Sequence, residues 1–238
     1  MSNSGYARFA SFASFERRDL ESFDVLTGPL RVVPKGGFLC HEGQPSSELY
    51  RLKSGWLCCS ISTQDGARQI TKIHLPGDLV GTPSMATDVS VETVSALTWA
   101  EVEVIPLEAF GRTFRDHPRL AALLFLWSQE ERVRLMHQMT LIGRHAADRR
   151  VAAFLLSIYQ RVLLSTPDVG LSFELPLIQQ DIADATGMSI VHANRSLRKL
   201  RDAGLLTFQD GRVTIGNLAG LREFSGTPTL SPRSTSWI

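Results

Sequence analysis

Arg195, Arg198, Lys199 and Arg201 crowd the segment between Ser189 and Arg201, which contains no acid. Such groups suit two tasks: hydrogen bonding to phosphate oxygens and, for arginine, bidentate contact with a guanine edge. If residues 190–202 are helical, successive side chains advance by about 100°. Ile190, Ala193, Leu197 and Leu200 then share one stripe that must face a protein interior. Val191, His192, Arg195, Arg198 and Lys199 occupy the opposite face, with Arg195 near its centre. A merely solvated helix face mixes charges of both signs, so this one-signed face points to a polyanion.

The flanking residues predict how that face is positioned. Ser189 stands where a helix N-cap belongs, and Ala203-Gly204 is a helix stop. Upstream, Ile178 to Ala185 reads as a shorter helix, followed by a turn at Thr186-Gly187-Met188. Gly187 supplies the permissive backbone the turn needs, and Ala183 is small enough for two helices to approach. This is a helix-turn-helix, the unit that lays its second helix in the major groove of double-stranded DNA. Downstream, Leu205–Phe208 and Val213–Ile215 read as two strands around Gln209-Asp210-Gly211-Arg212. Asp-Gly favours a hairpin, so this pair forms the wing of a winged helix. Arg212 at its tip can reach a phosphate, or simply be an exposed turn arginine.

The rest of the chain divides by texture. Residues 1–24 form a polar lead with a short amphipathic helix carrying Phe12, Phe15 and Phe23. From 25 to 106, glycine turns recur at about ten-residue intervals between alternating apolar runs, which predicts an antiparallel β-roll or jelly roll. Residues 107–142 turn helical, and Leu126, Gln129, Val133, Met136 and Thr140 repeat in 3–4 spacing as a dimerisation seam. Gly143-Arg144-His145 reads as a hinge, opening a winged helix-turn-helix domain over 143–224. That domain begins with a helix from Ala146 to Leu164 burying Val151, Phe154, Leu155, Ile158 and Val162, and has a short strand at Phe173-Glu174-Leu175. Residues 225–238 have the composition of a disordered tail. The expected fold class is α+β: an N-terminal antiparallel β-roll, a long dimerisation helix and a C-terminal winged helix-turn-helix.

The net charge of +1 requires any nucleic-acid affinity to come from a local patch. Cys40, Cys58 and Cys59 form no CxxC pair, which fits a reducing cytoplasm and argues against a disulfide framework or structural zinc. Cys58 and Cys59 are adjacent on a strand and read as packing residues on opposite faces. The N-terminus lacks the apolar core of a secretory signal, and no run approaches the ~18 apolar residues of a membrane span. A cytoplasmic protein without a membrane partner is expected.

The order of these elements resembles the Crp/Fnr family of bacterial transcription regulators over residues 25–224. The resemblance is carried by Glu42-Gly43, Leu49 to Gly55, Leu75 to Gly81, Thr93 to Thr98 and the helix-turn-helix with Val191-His192-Ala193-Asn194-Arg195. It implies that Arg195 reads a guanine edge and that Ser189 both caps the helix and meets a phosphate. Val191 stands where the best-known members read cytosine with a glutamate, so that contact is lost. His192 and Asn194 match a sub-group with the pattern Val-His-x-Asn-Arg. The resemblance also implies RNA polymerase as a partner and a small-molecule effector in the roll, near Gly81, Thr82 and Ser90, with Leu135 and Met136 on the far wall.

The departures bear on that effector. Members that bind cyclic AMP carry Gly-Glu-Leu where this chain has Gly81-Thr82-Pro83, and an Arg-Ser or Arg-Thr pair soon after. Here that neighbourhood is Asp88-Val89-Ser90-Val91-Glu92, and a buried phosphate without a cation is disfavoured. The Thr-Ser pair that reads adenine is replaced by Leu135-Met136. The resemblance therefore points away from cyclic AMP. An iron–sulfur cluster on four thiolates of one subunit is excluded, because no cysteine precedes Cys40. Haem stays open through His41, His74 and Met85, although a lone histidine near a strand end is more often a hydrogen-bonded surface residue.

The sequence thus predicts a homodimeric, sequence-specific DNA-binding regulator, not an enzyme, with no metal site. The alternative is a cupin-like metal enzyme or ligand-binding module built on the roll. His41-Glu42 and His74 lack the HxH spacing that a cupin needs.

Overall fold

Strands rich in Leu, Val and Ile, most of them closed by a glycine turn, fold the N-terminal half into two antiparallel sheets. The computed structural model describes residues 28–227; the expected N-terminal helix and all of the expected tail beyond Thr227 lie outside them. The described chain divides into two compact units, residues 28–61 with 73–133, and residues 62–72 with 134–227.

In the first unit one sheet has the order β1-β8-β3-β6, formed by Leu30–Val33, Ala100–Pro106, Glu48–Ser54 and Leu79–Val80. The other has the order β2-β7-β4-β5, formed by Phe38–Cys40, Thr93–Ala96, Leu57–Ser62 and Arg68–His74, with Ser62 and residues 68–72 grouped in the second unit. Tyr50 and Leu52 pair with Val104 and Val102, and all four enter a core with Leu57, Cys59, Val94 and Ala96 from the second sheet. Side chains from two facing sheets interdigitating in this way make a roll. Between Tyr50 and Leu52, Arg51 lies opposite Glu103, and its Nε donates to the Glu103 carboxylate at 2.5 Å. Cys58 and Cys59 are both fully buried.

Leu107–Asp116 forms α1 and Pro118–Arg144 forms α2. The sequence suggested unbroken helical texture here, but Pro118 interrupts it. Proline pushes the residue before it out of the helical region, and His117 accordingly sits at φ −133°. Proline is nevertheless well suited to open the next helix, since its missing N–H is not needed there. Phe110 of α1 and Leu120, Leu124 and Trp127 of α2 then bury against Leu49, Leu79 and Ile105 of the roll.

The expected hinge is shorter than the sequence suggested. α2 continues through Gly143 and Arg144, and the break falls at His145-Ala146. Along α2, Leu126, Gln129 and Val133 are half-buried, while Met136 and Thr140 are exposed. Phe125, Leu135, Met139 and Ile142 are also exposed.

In the second unit, Ala147–Ser165 forms α3, Ser172–Glu174 β9, Gln179–Thr186 α4 and Ile190–Asp202 α5. Leu206–Gln209 and Arg212–Ile215 form β10 and β11, and Leu218–Ser225 forms α6. The core-facing side of α3 carries Val151, Leu155 and Ile158 as expected, with Leu156 and Tyr159, whereas Phe154 and Val162 are only half-buried. Helix α6 was not anticipated. Asn217 caps it by accepting from Gly220 N at 2.8 Å, and Leu221 and Ser225 are fully buried. The expected boundary of a disordered tail at Ser225 therefore falls inside an ordered helix.

Candidate nucleic-acid interface

The turn between α4 and α5 needs a left-handed residue, and Gly187 provides it at φ 64°, ψ 48°. Its N–H and that of Met188 both return to Ala183 O, closing the end of α4. At the other end of α4, Asp181 Oδ2 accepts from Ile178 N at 2.9 Å, satisfying an orphan donor of the first turn. The expected span Ile178–Ala185 thus shifts by one residue, with Ile178 as the cap.

Ser189 caps α5 as expected. Its hydroxyl accepts from His192 N at 3.4 Å and lies 2.9 Å from His192 Nδ1. The hydroxyl can donate to that nitrogen while accepting from the amide, which orients the imidazole against the start of the helix. Ala193, Ser196, Leu197 and Leu200 are buried. Ile190, expected on the inward stripe, is 39% exposed, because the first residue of the helix overhangs the core while Ser196 enters it. Val191, His192, Asn194, Arg195, Arg198 and Lys199 are all exposed.

The cations of this face are not equivalent. Arg195 and Arg198 have no acceptor or carboxylate partner among the described residues. Arg201 lies 3.4 Å from its neighbour Asp202, and both are exposed. Lys199 Nζ donates to Asp148 Oδ2 in the first turn of α3. Burial pushes the Asp148 carboxyl up, but the Lys199 hydrogen bond and the Arg149 N–H outweigh it and hold the group below the usual carboxylate range.

The wing is a two-residue hairpin. Asp210 at φ 51° and Gly211 at φ 71° give both central residues the positive φ of a type I′ turn. Arg212 is not free at its tip. It lies opposite Glu174 on β9, and its guanidinium reaches Glu174 Oε1 at 3.3 Å and Ser172 Oγ at 3.5 Å. Both side chains are at least half exposed, so solvent screens the pair.

Sequence reasoning missed Asp148, Glu174 and a third contact. Arg68, in the segment 62–72 that belongs to this unit, donates to Asp181 and Asp184 of α4. A single acid or base far along the chain carries no periodic signal that would have exposed these pairings.

The roll holds a cavity of about 60 Å³ lined by Cys40, Pro45, Ser46, Ser47, Glu48, Tyr50, Gly81 and Ser90. Gly81 and Ser90 were expected there; Thr82 does not line it. Its carboxylate, Glu48, accepts from Tyr50 Oη at 3.0 Å and from Arg31 Nη2 at 3.1 Å. The candidate metal or haem ligands differ in setting. His41 is exposed, stacked on Phe38 at 4.4 Å, whereas His74 is buried 3.5 Å from Asp78. Among the described residues no three His, Cys, Asp or Glu side chains form a group able to hold a metal ion.

Residues 30–117 match the cyclic nucleotide-binding domain, and residues 149–224 match the Crp-like helix-turn-helix domain. The chain is 28% identical over 213 residues to the transcriptional activator protein FnrA of Stutzerimonas stutzeri, covering 90% of this chain and 87% of that one. It is 29% identical over 204 residues to the nitrogen fixation regulation protein FixK of Bradyrhizobium diazoefficiens, covering 85% and 84%. The solved structure of FixK2 from Bradyrhizobium japonicum has the same fold, with a TM-score of 0.76 at 24% identity over 86% of this chain and all of that one. A β-roll followed by a Crp-like helix-turn-helix defines a DNA-binding transcription regulator. The chain belongs to the Crp/Fnr family.

Proposed function

We propose that the protein acts as a homodimer on an inverted-repeat operator, with α5 of each subunit in a major groove and the roll sensing a signal other than cyclic AMP. The observation that carries this reading is the exposed face of α5, where Arg195 and Arg198 stand without an acidic partner among the described residues, beside Val191, His192 and Asn194. Unopposed guanidinium groups on a protruding helix are matched by base edges and phosphates, and a capped, packed helix delivers them with little loss of side-chain freedom. Ser189, at the start of the helix, is expected to meet a phosphate through its hydroxyl. Exposed Leu135, Met136, Met139 and Ile142 on α2 support association with a second copy. Such a dimer places half-site centres about 10 bp apart or a multiple of that. RNA polymerase is the expected protein partner, the cytoplasm the expected compartment, and no enzymatic activity is expected. No helix among the described residues is long and apolar enough to cross a membrane.

The test is operator selection from a random duplex pool by the full chain, followed by gel shift with Arg195→Ala. The substitution should cost about 1–3 kcal/mol and relax preference at one base pair per half-site. Unchanged affinity and unchanged selectivity would remove α5 from the interface.

A further inference from the structure

We propose that Lys199 is a positioning residue held by Asp148 rather than a phosphate contact, and that Asp148 thereby limits the affinity of the recognition helix for DNA of any sequence. This rests on the reading of α5 as the DNA-contacting helix. Four cations lie on α5, but the structure divides them. Among the described residues Arg195 and Arg198 have no acidic partner, Arg201 leans on its neighbour, and Lys199 is engaged by a carboxylate from another helix.

Asp148 is not a mobile surface acid that a phosphate would displace at no cost. Its side chain is only 12% exposed, while that of Lys199 is 64% exposed. It is the second residue of α3, where the unsatisfied N–H groups of the first turn favour a negative charge. One carboxylate oxygen takes the Arg149 N–H at 2.9 Å and the other takes Lys199 Nζ. The carboxylate is thus fixed from its own helix, and Lys199 comes to it. α3 and α5 are packed against each other, so the pair ties the end of the recognition helix to the start of its support.

The consequence is electrostatic. Each phosphate neutralised by a protein cation releases counterions and adds about 0.9 to the slope of log affinity against log salt. A cation already paired with a fixed acid contributes little of that. It adds little to binding at random sites, while the base-reading arginines keep their share. Asp148 would then act on specificity as a ratio, by holding down the non-specific term.

The measurement is fluorescence anisotropy of the full-length protein across a salt series, on the duplex selected by the wild-type protein and on a random-sequence duplex. Lys199→Ala should keep the wild-type salt slope. Asp148→Asn should steepen it by about 0.9 and tighten binding to the random duplex several-fold, and the double variant should return to the Lys199→Ala slope. Asp148→Glu, which keeps the charge, should behave as wild type. A slope that falls by about 0.9 in Lys199→Ala shows a phosphate contact and overturns the proposal. An unchanged slope in folded Asp148→Asn overturns it as well. Lys199 is exposed and its truncation leaves the core intact, so that arm decides even if the Asp148 variants misfold. Arg195→Ala and Arg198→Ala separate the levels: if neither alters binding to the selected duplex, the assignment of α5 itself has failed.

Discussion

Arg68 Nη2 donates to Asp181 Oδ1 at 2.6 Å, joining residues separated by 113 positions within the C-terminal unit. The same guanidinium reaches Asp184 Oδ2 through Nε at 2.7 Å, and Gln69 Nε2 donates to Asp184 O at 2.6 Å. Asp181 and Asp184 lie one helical turn apart on α4, so a planar fork can serve both. Asp181 already caps α4 through Ile178 N. One carboxylate therefore starts the first helix of the helix-turn-helix and anchors it.

Truncation at Arg68 leaves two largely covered carboxylates side by side without their cation. A fully buried pair broken in this way costs about 3–5 kcal/mol, but Arg68 is 37% exposed and solvent screens part of the loss. Arg68→Ala is expected to destabilise the C-terminal unit by about 1–3 kcal/mol. Urea unfolding followed by circular dichroism should show a lower midpoint, with Arg68→Lys between the two because it cannot fork. A wild-type midpoint in Arg68→Ala would mean that the contact contributes nothing to holding α4.

The helix-turn-helix was legible in the sequence because its signals are local. Ser189, Gly187 and Gly204 punctuate α5, its apolar period is complete, and the span 190–202 agrees with the structure. Asp210-Gly211 likewise announces its own turn. The break at His117-Pro118 had a signal, the proline, that helical periodicity on both sides overrode. Helix α6 is eight residues long, too short for a period, and only Asn217 ahead of Leu218 and Leu221 marked it. The pairings that qualify the site had no signal. Asp148 with Lys199, Glu174 with Arg212 and Arg31 with Glu48 each join residues from distant elements, and only the folded backbone brings them together.

Association through α2 is expected to depend on its exposed apolar side chains. Met139 is 74% exposed and Leu135 52%, one helical turn apart. Leu126, Gln129 and Val133 are already half-buried within the monomer. Met139→Asp should yield a folded monomer by analytical ultracentrifugation, with operator affinity reduced at least tenfold, about 1.4 kcal/mol. Val133→Asp should also weaken the dimer, but with a loss of monomer stability that Met139→Asp spares. A Met139→Asp protein that sediments as a dimer places the interface elsewhere.

Tyr50 gives the roll an alkaline limit. Burial, together with the Glu48 carboxylate it donates to, pushes its phenol up to about 12 against the opposing charge of Arg31. A proton held more tightly in the folded state adds stability that is intact below the ordinary phenol value of about 10 and lost as pH rises towards about 12. Urea midpoints of the wild type should therefore fall across that window by more than those of Tyr50→Phe, which has no proton to lose. Parallel curves for the two proteins would show that Tyr50 is not held in its neutral form by the fold.

Cyclic AMP is expected not to bind. Ligand cavities typically measure about 300–1,000 Å³, and the roll's cavity measures about 60 Å³. Its lining supplies a carboxylate, Glu48, where a cyclic phosphate would require a cation. Arg31 is close enough to matter, since it hydrogen-bonds Glu48 and lies 5.5 Å over the Tyr50 ring. It is committed to that acid, and releasing it would leave the Glu48 carboxylate beside an incoming anion. Isothermal titration with cyclic AMP and cyclic GMP should give no saturable heat at micromolar concentration, where a Kd of 1 μM corresponds to about −8.2 kcal/mol. Saturable binding would require the roll to open and Arg31 to leave Glu48 for the phosphate. Arg31→Ala would then abolish that binding, and Glu48→Gln would strengthen it.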